Sequence, residues 1–160
     1  MAYHIIGGGE EGDKTIVRIK EEADHSLHYM VAVALLDDQV MPEQYKLERI
    51  LREDVQTLLK KILVRPDETY SRLFPDYHAC KVTIVLKDGQ MFSKEKKDYE
   101  GFYTNPMSWD SVVRKFEHLS EPYTDAALRK NIVDAVTHLE DITVAELVEL
   151  LAKVHTPEEN

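Results

Sequence analysis

A histidine beside a serine, at the start of a long apolar stretch, is the arrangement in this sequence with the clearest capacity for chemistry. Asp24-His25-Ser26 precedes Leu27, Met30, Val31, Ala34 and Leu35, which recur at helical spacing, while Val33 and Leu36 fill most of the remaining circumference. Asp and Ser before such a run are helix-capping residues. A helix apolar on nearly every side is expected to be buried, and this one is too short for a bilayer, which needs about 20 apolar residues. A helix start presents free N–H groups and a positive partial charge, so it receives carboxylates. The same field favours a neutral imidazole, able to act as a base or a hydrogen-bond partner. The alternative needs no chemistry: Asp24 or Ser26 caps, and His25 bonds a neighbouring loop. Both readings fit the spacing.

Other arrangements carry less. Asp24 and His28 share a helix face at i and i+4, with His25 near them, yet a zinc site needs further histidine or thiolate ligands that the spacing does not supply. No metal is expected. Gly7-Gly8-Gly9 lacks the Gly-Lys-Thr/Ser ending of a phosphate loop and reads as a flexible connection. Arg65 and Arg72 flank a proline-containing stretch and are expected in solvent. His4, His78, His118, His138 and His155 share no spacing and receive no role.

The elements that must position these groups follow from composition and pattern. With 160 residues, 43% hydrophobic and 31% charged, the chain can build one ordinary soluble core. A net charge of −10 argues against nucleic-acid or membrane-surface binding, since both attract positive charge. The single cysteine, Cys80, precludes an internal disulfide and suits a reducing compartment. With no secretory leader pattern at the start, a cytoplasmic location is expected.

Residues 3–6 form an apolar run before three glycines and read as a short strand without a preceding partner, as if something upstream were missing. Residues 15–19 read as a second extended piece. Pro42-Glu43-Gln44-Tyr45 suggests one helical turn. Residues 47–61 suggest a helix or a broken pair, with Val55, Leu58, Leu59 and Ile62 as its apolar stripe. Ile62-Leu63-Val64 reads as a strand and residues 66–78 as loop. Residues 80–86 alternate as a β-strand, Asp88-Gly89 is a hairpin turn, and a return strand begins at Gln90. Lys94-Glu95-Lys96-Lys97 then forms a solvated edge. The last third is helical. Ser108 caps a helix with Val112, Val113 and Phe116 inward, and Thr124 or Asp125 starts another carrying Leu128, Ile132, Val133, Val136 and Leu139. Thr143 and Glu146 frame a third as a capping box, which Pro157 ends. The fold class is α+β: a small antiparallel sheet with a buried helix, followed by a C-terminal helical segment. Residues 1–105 are expected to form the α+β portion and 106–160 the helical one.

Glu22-Ala23-Asp24-His25-Ser26-Leu27-His28-Tyr29-Met30-Val31-Ala32-Val33-Ala34-Leu35-Leu36-Asp37 closely resembles the "ADHSLPYMVAVALLDG" block of the MmgE/PrpD family. Further family-like pieces follow in the same order: Asp54-Val55-Gln56-Thr57-Leu58-Leu59, Val64-Arg65-Pro66-Asp67, and Val82-Thr83-Ile84-Val85-Leu86-Lys87-Asp88-Gly89. After these come Gly101, Asn105-Pro106-Met107-Ser108-Trp109-Asp110 and Lys115-Phe116. The resemblance spans residues 20–155, with two departures: His28 stands where proline is frequent, and Asp38 where a glycine usually closes the helix.

The resemblance implies the later part of a lid-type α+β domain, incomplete at its N-terminus, and helices that return to a helical domain outside this chain. It implies a lyase of the 2-methylcitrate dehydratase kind, removing a proton next to a carboxylate of a small polycarboxylate with loss of water. Decarboxylase or epimerase activity within the family is the alternative, as is a non-catalytic lid or interaction module. The family uses no metal or other cofactor in this fold. His25 and Ser26 are then the leading site residues at the domain cleft, with Tyr3 as a further catalytic candidate and Arg18 as a substrate-binding one. Most catalytic side chains are expected upstream. The expected partner is a second copy of the chain or a separate N-terminal helical domain.

Overall fold

In the computed structural model, which describes residues 2–156, the chain divides into two compact units, residues 1–97 and 98–160. The first opens with α1 (Ala2–Ile6) and α2 (Lys20–Asp24), followed by α3 (Leu27–Asp37) and a 3-10 turn at Pro42–Tyr45. Short helices α4 (Leu47–Ile50), α5 (Glu53–Leu59) and α6 (Glu68–Leu73) lead into the antiparallel hairpin β1 (Cys80–Val85) and β2 (Met91–Lys96). The second unit contains α7 (Trp109–Ser120), α8 (Ala126–Thr137) and α9 (Val144–Leu151). The architecture is α+β, with a two-stranded sheet.

The first unit is organised by α3 packing against α5. Ala23 of α2, Tyr29, Ala32 and Val33 of α3, and Val55 and Leu59 of α5 meet Val17 and Ile50 in one core, with Tyr45, Leu58 and Ile62 at its margin. The Tyr29 hydroxyl donates to the Gln44 carbonyl, and burial pushes that phenol's pKa up to about 12. Gln56 ties the N-terminal segment down, its amide donating to the carbonyls of Val17 at 2.9 Å and Ile50 at 2.7 Å.

An ionic cluster fixes the end of α3. Buried Arg49 donates to both oxygens of Asp37, at 2.8 and 2.6 Å, and to Asp54 at 2.9 Å. The cluster completes Arg49's fork of donors, so burial does not leave a charge unpaired. Asp38 follows in the left-handed region at φ 57°, with its N–H on the Ala34 carbonyl. It occupies the position where helices favour glycine, and aspartate is among the few other residues that tolerate it.

Several expectations are corrected. Residues 3–6 are helical: the Gly7 N–H returns to the Tyr3 carbonyl at 3.1 Å, and the glycines close the helix end. Ile62-Leu63-Val64 pairs with no strand, and Leu63 is 76% exposed. Residues 66–78 contain α6, because Asp67 accepts from the N–H groups of Thr69 and Tyr70. The apolar girth of α3 is not wholly buried: His28, Tyr29, Ala32 and Val33 face the core, while Ala34, Leu35 and Leu36 are exposed, because α2 and α5 cover one side. Val112 is also exposed, with Val113 and Phe116 half-buried.

Local signals are met elsewhere. Residues 47–61 form the broken pair α4 and α5. Gly89 takes φ 87° in the hairpin turn, Ser108 and Asp125 cap α7 and α8, and Thr143 with Glu146 forms the capping box of α9. α9 ends at Leu151; Pro157 lies outside the described residues. In the second unit Leu128 and Ile132 are buried on α8, and Phe102 packs between Tyr99 and Tyr103 at ring distances of 5.3 and 4.7 Å.

The Arg49 cluster makes stability depend on acid. Its hydrogen bonds hold Asp37 below the ordinary carboxylate pKa; at Asp54 burial opposes the lowering, but the Val55 N–H and Arg49 outweigh it. Depressed folded-state pKa values stabilise above the unfolded value, 3.8, and that contribution disappears as pH falls through the lowered values. Arg49→Met should cost about 1–3 kcal/mol in urea unfolding at neutral pH, because it removes the guanidinium from two partly buried carboxylates and leaves Asp37 with Gln44, and Asp54 with Arg52 and the Val55 N–H. The deficit relative to wild type should shrink as pH falls below 3.8.

Candidate functional site

The start of α3 is built by one buried hydroxyl. Ser26 has β-region backbone angles as N-cap, and its Oγ accepts from the Tyr29 N–H at 3.0 Å. The same hydroxyl donates to the Lys14 carbonyl at 2.6 Å. It thereby fastens the segment after the glycines across the helix start. Ser26 is fully buried and its proton is committed, which makes it a structural anchor in this arrangement.

His25 sits in the junction between two helices rather than in the first turn of α3. It is the C-cap of α2, exposed, with Nδ1 3.0 Å from the Glu21 carbonyl. A carbonyl only accepts, so Nδ1 carries the proton and Nε2 of the neutral ring keeps its lone pair. Asp24, next to it, is paired with Lys20 at 2.5 Å.

Tyr3 and Arg18 occupy separate surroundings. Tyr3 lies half-buried on α1 beneath the glycines: a Cβ on Gly7 would fall 2.8 Å from Tyr3 Cα, and one on Gly9 3.2 Å from its ring. Arg18 is exposed, and Glu22 holds both its backbone N–H at 2.6 Å and its guanidinium at 3.0 Å. These bonds to Arg18 lower the Glu22 pKa and raise that of Arg18. A substrate carboxylate would have to compete with Glu22 for that guanidinium.

His28 is the residue that the spacing argument passed over as part of a weak metal pattern. It is the second residue of α3 and 6% exposed, and its Nδ1 has no hydrogen-bond partner in the protein. A Cβ on Gly8 would lie 3.9 Å from its Cε1, so the glycine segment passes near the ring. Burial holds the His28 pKa below the ordinary imidazole value, with nearby Asp13 pulling the other way. Asp13 is engaged by the Thr15 hydroxyl at 2.7 Å and N–H at 2.8 Å. An unsatisfied buried group costs about 1–3 kcal/mol, so its retention calls for a reason. The only sequence signal was the departure from proline at this position.

The fold thus brings Gly8, Asp13, Ser26 and His28 near the start of α3, with His25 beside it, while Tyr3 lies under Gly7 and Gly9 and Arg18 is engaged by Glu22 of α2. Two open grooves lie elsewhere. One, of about 440 Å³, is lined by Leu36, Glu53, Asp54, Thr57, Leu58 and Lys61. The other, of about 520 Å³, lies between α7 and α8, where Arg114 and Arg129 face Glu117 and Glu121. Neither includes the α3 start, and the hydrogen-bonded geometry there is the stronger guide to chemistry. Among the described residues no group of three His, Cys, Asp or Glu side chains converges as metal ligands do.

Residues 1–141 match the model of the MmgE/PrpD C-terminal domain. The chain belongs to the MmgE/PrpD family. It is 26% identical over 136 residues to cis-aconitate decarboxylase from Mus musculus, covering 84% of this chain and 27% of that protein. To the Homo sapiens cis-aconitate decarboxylase it is 25% identical over 144 residues, covering 88% of this chain and 29% of that one. The cis-aconitate decarboxylase of Aspergillus terreus is 27% identical over 129 residues, or 79% of this chain and 26% of the relative. The chain therefore spans little more than a quarter of these relatives' length. They carry the name of a decarboxylase and do not support 2-methylcitrate dehydratase.

The close approach of the glycines to α1 is directly testable. Gly7→Ala places a carbon against Tyr3 backbone and should lower stability by about 1–3 kcal/mol. Gly12→Ala has open space, so only the strain of its φ of 87° acts and the loss should be about 1 kcal/mol. Thermal melts of the two variants should rank them in that order.

Proposed function

We propose that this chain supplies the C-terminal domain of a lyase that decarboxylates a small polycarboxylate. The observation that carries this reading is the family match over residues 1–141 together with relatives named as cis-aconitate decarboxylases. Loss of carbon dioxide leaves an electron pair on carbon, which must be delocalised and then protonated. Helix N–H groups stabilise the remaining carboxylates, and a positioned side chain delivers the proton. His25 suits that second task once Nε2 has taken up a proton from solvent: its bond to Glu21 orients the ring and leaves Nε2 exposed, so the proton gained there passes to carbon and the neutral ring is restored. Ser26 supports it by holding the helix start.

A second reading, a lid or interaction module that pairs with another chain, is favoured by the hairpin. Val85 and Met91 are 62% and 65% exposed and Phe92 is also exposed, although two strands alone make a marginal sheet. The partner in this reading is a separate N-terminal helical domain or a second copy of the chain.

Cis-aconitate incubated with the purified chain, with products followed by proton NMR, separates the readings. The chain alone should be inactive, and a separately produced N-terminal helical domain should restore decarboxylation. In that reconstituted enzyme His25→Asn should lower kcat about a hundredfold. Turnover by the chain alone would remove the module reading, and unchanged kinetics in the variant would reduce His25 to a capping residue. Activity on methylcitrate in place of cis-aconitate would return the assignment to dehydration.

A further inference from the structure

His28 is a polar side chain that the fold buries at a helix start without giving its Nδ1 a partner. Three features converge on it. The helix it opens, α3, has eleven residues and so presents the positive end of a sustained dipole. The segment from Gly8 to Lys14 passes that end, with Gly8 near the ring, where an added Cβ would lie 3.9 Å from Cε1, and with the Lys14 carbonyl bonded to the cap. Gly8 and Gly12 both take positive φ, 91° and 87°, and a Cβ on Gly12 would meet nothing within 4 Å. The cover is therefore a short backbone flap in which two glycines, Gly8 and Gly12, take positive φ.

We propose that His28 is a ligand-binding residue whose Nδ1 donates to a carboxylate oxygen of a small carboxylate at the start of α3, beneath the lifted glycine flap. The positive end of the helix selects an anion over a neutral or cationic ligand. The carboxylate supplies the hydrogen-bond acceptor that the folded chain lacks at Nδ1. Asp13, the charged neighbour of His28, is occupied by Thr15 and leaves the ring's Nδ1 available. A proline, frequent at this position in the block the chain resembles, has no such donor, so the residue gives this chain a contact of its own. That the physiological ligand is a polycarboxylate rests on the functional reading above; the role of Nδ1 rests on the geometry.

Ring nitrogen NMR of the intact chain, labelled with 15N-histidine and titrated with cis-aconitate, acetate and glycerol, is the test. Cis-aconitate should move the His28 Nδ1 resonance saturably, and glycerol should not. By calorimetry His28→Phe, which keeps a ring of similar size, should weaken cis-aconitate binding tenfold or more. His28→Asn, whose amide can donate, should recover part of the loss. Binding of cis-aconitate that moves only His25, or variants with wild-type affinity, would overturn the proposal and leave the functional reading standing. A His28 response to acetate without one to cis-aconitate would uphold the carboxylate role and overturn the polycarboxylate reading. Silence of His28 to every carboxylate would overturn the proposal outright.

Discussion

The hydroxyl of Ser26 is the contact on which the candidate site depends. One oxygen accepts from the Tyr29 N–H and donates to the Lys14 carbonyl, so a single buried atom both starts α3 and closes the preceding segment over it. A hydroxyl is suited to this because it has one donor and two acceptor positions. Everything near the helix start inherits its place from that bond. Gly8 and Asp13 are brought near the His28 ring. His25 falls at the end of α2 with Nε2 directed away from its own hydrogen bond.

The rest of the first unit keeps α3 in register. Tyr29 reaches Gln44, Gln56 reaches Val17 and Ile50, and Arg49 clamps Asp37 and Asp54. The bonds from Tyr29 to Gln44, Gln56 to Val17 and Arg49 to Asp37 link segments twelve or more residues apart, so they resist sliding of α3 past α5 in a way that apolar contact alone does not. Their cost is the desolvation of Arg49, which is offset because its carboxylates sit in bonding geometry. The opposite side of α3 receives no such cover within this unit: Leu35 is 49% exposed, beside Ala34 and Leu36.

What could be read from the sequence was local. Thr143 with Glu146, Ser108, and Asp88-Gly89 act on backbone groups within a few residues, so their types and spacing suffice to place a cap or a turn. Tyr3 to Ile6 misled because four apolar residues fit strand or helix equally; the glycine-closed end of α1 decided it, through a bond from Gly7 back to Tyr3. Asp67 was hidden by the prolines around it, although its side chain starts α6. The buried face of α3 was illegible because the helix is apolar all round, and only the position of α5 shows which side is covered. The family was legible from the block around His25 and Ser26. The burial of His28 Nδ1 without a partner was not, because it depends on which segments the fold brings around the ring.

The functional account and the structural one meet at this helix start. Relatives named as cis-aconitate decarboxylases, a capped helix start near a glycine segment, and an imidazole Nδ1 without a partner are the observations behind the binding arrangement we propose. The account requires that Ser26 hold the flap and the helix together, and amide hydrogen exchange in Ser26→Ala measures this directly. The account predicts faster exchange at Tyr29 and across residues 7–15, with α7, α8 and α9 unchanged. Wild-type protection at Tyr29 and residues 7–15 in that variant would contradict it.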